Sequence, residues 1–291
     1  MALDNVKGIL SIGSPVSSYK LLLMQGMLSR PRYASLFGAL LRPFVTDGQI
    51  EVRYRCQHRL LKSLVRTSEL KSDFSSIREL VVDDVYSLDL GFHPDLVIDG
   101  GGNIGMFTLR AAASFQSAGG TSVKYVVCEP VPENLEQIRT HLAVNGLQAE
   151  ILPVCLGGTP GIIPFYCREA NQGSFESTKA YRSVIEIPVI TLRDAIGPSA
   201  AERILIKLDI EGMEVEVLNA FLPSEQRAVY LVGELHNFSV NAPLMEELFR
   251  THGWTLELLG IANNLCSFRG CSPAARSLLQ WLPSAKTASK Q

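Results

Sequence analysis

The chain has 291 residues, 46% of them hydrophobic and 19% charged. That apolar content excludes a disordered polypeptide and is enough to fill one sizeable core. A net charge of −2 gives no overall field to gather nucleic acid or an anionic membrane, so no nucleic-acid partner is expected.

The charge is uneven along the chain. Residues 1–75 carry 11 Lys/Arg against 5 Asp/Glu, a net of +6 that leaves −8 for the remainder. A basic arm suits a phosphorylated or carrier-bound partner, and equally a solvated helical face. Leu21, Leu22, Leu23, Met24, Met27 and Leu28 can share one helix face, and Pro31 and Pro43 then punctuate the chain. A second helical patch is expected around Leu60, Leu61, Leu64 and Val65. Residues 1–75 therefore read as an N-terminal helical cap, 76–283 as the main domain and 284–291 as a polar, frayed tail. Lys20, Gln25 and Arg30 interrupt or flank the first apolar stretch. No signal peptide is expected, and no uncharged run reaches the roughly 18 residues that a membrane span needs.

From about residue 92 short apolar runs alternate with helical stretches. Asp95–Asp99 reads as a buried strand and Ile104–Ser114 as a helix; Lys124–Cys128 and Glu133–Asn145 repeat the pair. Glu150–Leu156, Ile204–Leu208 and Val229–Gly233 are further strands. Apolar strands alternating with helices predict an α/β fold whose parallel sheet is covered on both faces. Ile162–Cys167 and Val184–Ile190 flank a polar loop, Arg168–Arg182, whose segment Asn171–Ser177 is either a lid or a surface excursion. Trp254–Ile261 and Leu265–Arg269 predict an antiparallel edge hairpin. Six cysteines at positions 56, 128, 155, 167, 266 and 271 make no CxxC pair or zinc spacing. Cys128, Cys155 and Cys167 sit in strand-like apolar runs and read as buried free thiols, and a reducing, cytoplasmic setting is expected.

The segment Val97-Ile98-Asp99-Gly100-Gly101-Gly102-Asn103-Ile104-Gly105 is a strand running into a glycine turn and a helix start. Glycine lets backbone approach a ligand closely, and the helix end offers free N–H groups suited to a carboxylate. Asp99 at the strand end would oppose a pyrophosphate but suit an ammonium group. Glu129, in Cys128-Glu129-Pro130 after the next strand, is placed to accept from ribose hydroxyls. Leu156, before Gly157-Gly158, is a candidate apolar contact for an adenine ring. A nicotinamide-dependent oxidoreductase would need GxGxxG, and the spacing here is DxGxxxG. A non-catalytic nucleotide-binding module would lack the acids that follow.

Those acids lie in Lys207-Leu208-Asp209-Ile210-Glu211-Gly212-Met213-Glu214, after a strand whose carboxyl end should face the ligand. Glu214 reads as a charge favoured by a helix N-terminus and stands outside the expected site. The next strand ends in Glu234 and His236, which alternation sends to one side. Asp209, Glu211, Glu234 and His236 are the expected catalytic residues, with His236 as the base for a hydroxyl proton. Asp209, Glu234 and His236 also form a set that suits a divalent metal. His58, His93, His141 and His252 read as peripheral.

At these residues the chain resembles the FkbM family of methyltransferases. The resemblance runs through Asp99–Gly105, Cys128-Glu129-Pro130, Thr191-Leu192-Arg193, Lys207–Glu214 and the Glu234/His236 strand, over roughly residues 92–260. It implies a Rossmann-like, seven-stranded, mostly parallel sheet with an antiparallel last strand. It implies S-adenosylmethionine as cofactor and methyl transfer to a hydroxyl of a sugar or polyketide-type natural product. Asp99, Gly101, Asn103, Gly105, Glu129, Leu156 and Asp209 then take the cofactor, and Asp209, Glu211, Glu234 and His236 the chemistry. Gly102 departs from the alanine expected there.

Overall fold

The computed structural model describes residues 45–57, 59–88, 91–115, 123–167, 173–174 and 183–279. The chain enters through β1 (Val45–Thr46), β2 (Gln49–Cys56) and β3 (Arg59–Arg66), a three-stranded antiparallel sheet. The expected helix at Leu60–Val65 is thus a strand. Its side chains follow period two: Leu61, Ser63 and Val65 are buried, as are Ile50, Val52, Tyr54 and Cys56 on the paired strand. Asp47-Gly48 closes the first hairpin with positive φ at both residues, the combination that a tight type I′ turn requires. The helical expectation for Leu21–Leu28 lies outside the described residues, as does the tail.

Helix α1 (Leu70–Ile77) follows and runs into a π-helical turn, Arg78–Val82. The main sheet then begins with β4 (Leu96–Gly100), and α2 (Met106–Phe115), β5 (Lys124–Cys128), α3 (Pro132–Val144) and β6 (Glu150–Leu152) come next. The expected strand 150–156 is split. Its second half, β7 (Cys155–Leu156), joins β8 (Gly161–Cys167), β9 (Gly173–Ser174) and β10 (Ser183–Ile190) in a separate four-stranded sheet. The polar loop between β8 and β10 lies outside the described residues except for β9, which pairs with β8. Helix α4 (Leu192–Ile196) starts on a capping box between Thr191 and Asp194. The last elements are β11 (Arg203–Leu208), α5 (Glu214–Phe221), β12 (Ala228–Leu235), α6 (Phe238–Thr251), β13 (Thr255–Ala262) and β14 (Leu265–Cys271).

The main sheet has the order β13-β14-β12-β11-β4-β5-β6. Its strands β12, β11, β4, β5 and β6 are mutually parallel, and β14 runs antiparallel to β12. This is the Rossmann-like arrangement expected, with the hairpin β13–β14 at the edge. Alternation divides the apolar residues between two cores. Val97, Val127, Leu205 and Tyr230 face one layer with α2 and the N-terminal sheet. Ile98, Val126, Ile206 and Leu231 face the other with α5 and α6. Among the described residues no helix is long and apolar enough to cross a membrane.

The N-terminal sheet docks through its free edge. Strand β3 pairs only with β2, leaving backbone groups to satisfy on its other side. Gln137, His141 and Asn145, spaced four apart along α3, do so. Asn145 Oδ1 accepts from Lys62 N at 2.8 Å, His141 Nε2 from Leu64 N at 3.0 Å, and Gln137 donates to Leu64 O. His141 Nδ1 donates to Ile104 O at 2.7 Å, which ties the hairpin to the start of α2. His141 is therefore buried rather than peripheral, and it is neutral, because burial pulls its pKa down from 6.5.

Replacing His141 with alanine strands two buried backbone groups, and we expect a loss of about 2–4 kcal/mol in urea unfolding. A depressed folded pKa contributes stability that is fully present above the unfolded value of 6.5 and lost as pH falls. The gap between wild type and variant should accordingly narrow from pH 7 to pH 5, approximate limits chosen to bracket that value.

Candidate active site

The site forms where β4, β5, β11 and β12 end together. Gly101 N and Gly102 N both donate to Cys128 O at 3.0 Å, which folds the chain over the end of β5. Gly101 has φ +75°, and a Cβ there would lie 1.9 Å from the Asp209 carbonyl oxygen. Only glycine lets these two backbones pass. A Cβ at Gly102 would meet Val127 Cγ1 at 2.3 Å, so the departure from alanine has a packing reason.

Under this turn lies a buried ion pair. Lys207 Nζ donates to Gly101 O at 2.5 Å and stands 3.5 Å from Asp99 and 3.8 Å from Asp209. Burial pulls Lys207 down, but Asp99, Asp209 and Glu234 outweigh it, and its pKa is raised. Asp99 also accepts from Thr108 Oγ1 at 2.7 Å. It is fully buried, lines neither cavity and faces Lys207.

Two cavities flank the turn. The first, about 600 Å³ with its mouth, is bounded by Gly101, Asn103, Glu129, Leu156, Asp209 and Glu211, together with Phe165 from β8. The second, about 410 Å³ with its mouth, is bounded by Glu79, Tyr86, Asn103, Lys207, Asp209 and Glu234, among others. Asn103 and Asp209 form the wall they share. Gly105, at φ +82°, lines neither cavity and packs on Ile138. Glu129 holds the first cavity's floor. Its carboxylate accepts from Asn103 N at 2.7 Å and Val131 N at 2.9 Å, and burial still pushes it up to about 7.

The catalytic expectations converge on one spot. Ligating atoms of Asp209, Glu234 and His236 lie within 4.8 Å of one another. His236 Nδ1 lies 3.0 Å from Glu214 Oε1, and its Nε2 faces Asp209 at 3.9 Å and Glu211 at 3.8 Å. Burial disfavours its charge, but the Glu214 hydrogen bond and charge, then Asp209 and Glu211, raise its pKa to about 9. At neutral pH this imidazole already holds its proton, which conflicts with the expected role as base. Glu234 differs: burial first, then Asp209 and Glu79, push it up to about 7.

Sequence reasoning set Glu214 aside as a helix charge. It does open α5, and it also accepts from Ile210 N at 3.2 Å and Gly212 N at 3.0 Å while holding His236. Glu79, Tyr86 and Phe165 were likewise missed, because they come from segments with no motif. The spacing in Lys207–Glu214 carried a signal for Glu214 and Lys207 that was read only as charge density.

Residues 99–256 match the methyltransferase FkbM domain family, more than half of the chain. The protein belongs to that family; it is a methyltransferase whose cofactor is S-adenosylmethionine. No curated protein matches the chain. Among solved structures, the chain is similar to the ribosomal protein L11 methylase from Lactobacillus delbrueckii subsp. bulgaricus at 8% identity, TM-score 0.36, covering 70% of this chain and 79% of that one. Precorrin-6y C5,15-methyltransferase from Geobacter metallireducens GS-15 is 12% identical at TM-score 0.37, over 64% of this chain and 82% of its own. TYW2 from M. jannaschii, solved with AdoMet, is 10% identical at TM-score 0.40, over 78% and 87% respectively.

Two measurements check this geometry. Gly101→Ala adds backbone strain and displaces the Asp209 carbonyl, and should weaken S-adenosylmethionine binding in calorimetry by roughly a hundredfold, about 3 kcal/mol. Glu214→Gln removes the charge that holds the His236 proton; the imidazole titration followed by NMR should move from about 9 back toward 6.5.

Proposed function

We propose that this methyltransferase acts on a hydroxyl of a sugar or polyketide-type small molecule, with S-adenosylmethionine in the first cavity and the acceptor in the second. The observation that carries the reading is the shared wall. Asn103 and Asp209 border both cavities, so a donor on one side and an acceptor on the other meet at a single place.

The first cavity fits the cofactor. Its glycine turn leaves no room for a Cβ, Glu129 offers carboxylate lone pairs toward a ribose, and Leu156 and Phe165 offer apolar contact for an adenine. The cofactor supplies an electrophilic methyl on a positively charged sulfur. Asp209 and Glu211 favour that positive charge by their own. Glu234, on the acceptor side, takes the hydroxyl proton, because a carboxylate poised near 7 is partly ionised at working pH and basic enough to accept. His236 remains protonated and balances Asp209 and Glu211. Asp99 serves through Lys207 by fixing the turn. Holding the two reactants in line is the larger part of the catalysis.

Three outcomes test this. S-adenosylmethionine should bind and NAD should not, by calorimetry on the purified chain. Glu234→Gln should lose roughly 10²–10⁴ in turnover, followed as S-adenosylhomocysteine release, with cofactor affinity unchanged. The kcat/KM profile should rise as Glu234 deprotonates through about pH 7 and fall as His236 deprotonates near 9. A second reading is a divalent metal on Asp209, Glu234 and His236, favoured by their proximity. It makes turnover sensitive to EDTA, whereas the carboxylate base leaves it intact.

A further inference from the structure

The wall of the second cavity that faces the glycine turn is supplied by residues 76–86, ahead of the span 99–256 that matches the family. This wall is firmly held. Asn103 Nδ2 donates to Ser76 Oγ at 3.1 Å at one end. At the other, Asp84 pairs with the largely buried Arg110 at 2.9 Å, and the Tyr86 ring meets Phe107 edge-on at 5.6 Å. Between these anchors runs the π-helical turn, in which Asp83 N donates to Arg78 O at 2.9 Å. Such turns carry one extra residue and recur at functional sites. Here Glu79 and Leu80 line the cavity from that turn, while Arg78 is drawn to Asp83 at 3.0 Å.

The lining has a definite charge. Glu79, Asp209 and Glu234 bring three carboxyl groups, and Lys207 brings one ammonium that is already donated to Gly101 O and shared with Asp99. Burial and the neighbouring Asp209 and Asp83 raise Glu79 above its ordinary range, the sign of carboxylates crowded together. The remaining surface, from Leu80, Val85, Met106 and Phe107, is apolar. The buried Oδ1 of Asn103 has no hydrogen-bond partner among the described residues, so a ligand hydroxyl can donate to it.

We propose that Glu79 is a specificity-determining residue that closes the acceptor cavity and bars anionic acceptors, so that the substrate presents an uncharged hydroxylated group there. The inference rests on the second cavity being the acceptor site. A phosphate or carboxylate entering it becomes one more anion in a desolvated space, with no unengaged cation among the described lining residues to meet it.

The test uses the full chain loaded with S-adenosylhomocysteine and pairs of probes: methyl glucoside against glucose 6-phosphate, and glycerol against glycerol 3-phosphate. Saturation-transfer NMR reads binding of each. The neutral member of each pair should bind, with its phosphate ester weaker by roughly tenfold or more. Glu79→Lys should shrink that preference to near unity or invert it, and Glu79→Gln should reduce it partway, with S-adenosylhomocysteine affinity unchanged in both. A phosphate ester that binds at least as well, a preference that Glu79→Lys leaves intact, or binding by neither member overturns the proposal. Failure of the folded chain to bind S-adenosylhomocysteine sinks the underlying reading instead, and is seen before any probe is added.

Discussion

One buried ammonium holds the centre of this molecule together. Lys207 sits at the end of β11, 4% exposed, between the carboxylates of Asp99 on β4 and Asp209 beyond its own strand, and donates to Gly101 O. A charge so placed is stable only if its partners stay in position, since removing one leaves the others uncompensated in a dry interior. Two parallel strands and the turn above them are therefore locked in one arrangement. The turn can sit so low because Gly101 has no Cβ to meet the Asp209 carbonyl. The separation of the two cavities follows directly, for Asn103 and Asp209 are the groups that this lock sets side by side.

Around that lock the acids divide their work by environment. Glu214, fully buried, organises the loop 210–212 and orients His236. Glu129, also buried, spends backbone donors of two segments on one carboxylate and so aligns β5 with the glycine turn. Asp209 and Glu211 stay partly exposed at the cavity edge. Glu234 and Glu79 face the other cavity, where burial first and then neighbouring carboxylates raise both. Six acids, one histidine and one lysine thus share this region, with the lysine under the turn and the histidine against Glu214.

The N-terminal sheet contributes to this site although it touches neither cavity. Its free edge is satisfied by one polar stripe of α3, and His141 in that stripe reaches the residue next to Asn103. Docking the hairpin brings α1 and the π-helical turn over the end of the main sheet. The second cavity exists because the extension closes it.

Local pattern was enough for the main sheet. Buried strands such as Leu96–Gly100 and Arg203–Leu208 declare themselves because both faces are covered, which leaves the unbroken apolar runs Leu96–Ile98 and Ile204–Ile206. The glycine turn, Glu129, Leu156 and the Asp209–Glu234–His236 cluster were legible for a related reason: strand ends in a parallel sheet converge, and chemistry placed there needs particular residue types at particular spacings. Residues 49–66 were misread because Leu60, Leu61, Leu64 and Val65 fit a helix as well as a strand. Pairing of β3 with β2 and docking of its other edge on α3 settled it, and neither can be read from the local pattern of 60–65. The same limit applies to charge. Sequence can name Asp99, Glu214 and His236, but a pKa depends on depth and on neighbours distant in the chain. Packing alone turned Asp99 inward to Lys207, set His236 against Glu214, and buried Glu234 beside Asp209 and Glu79.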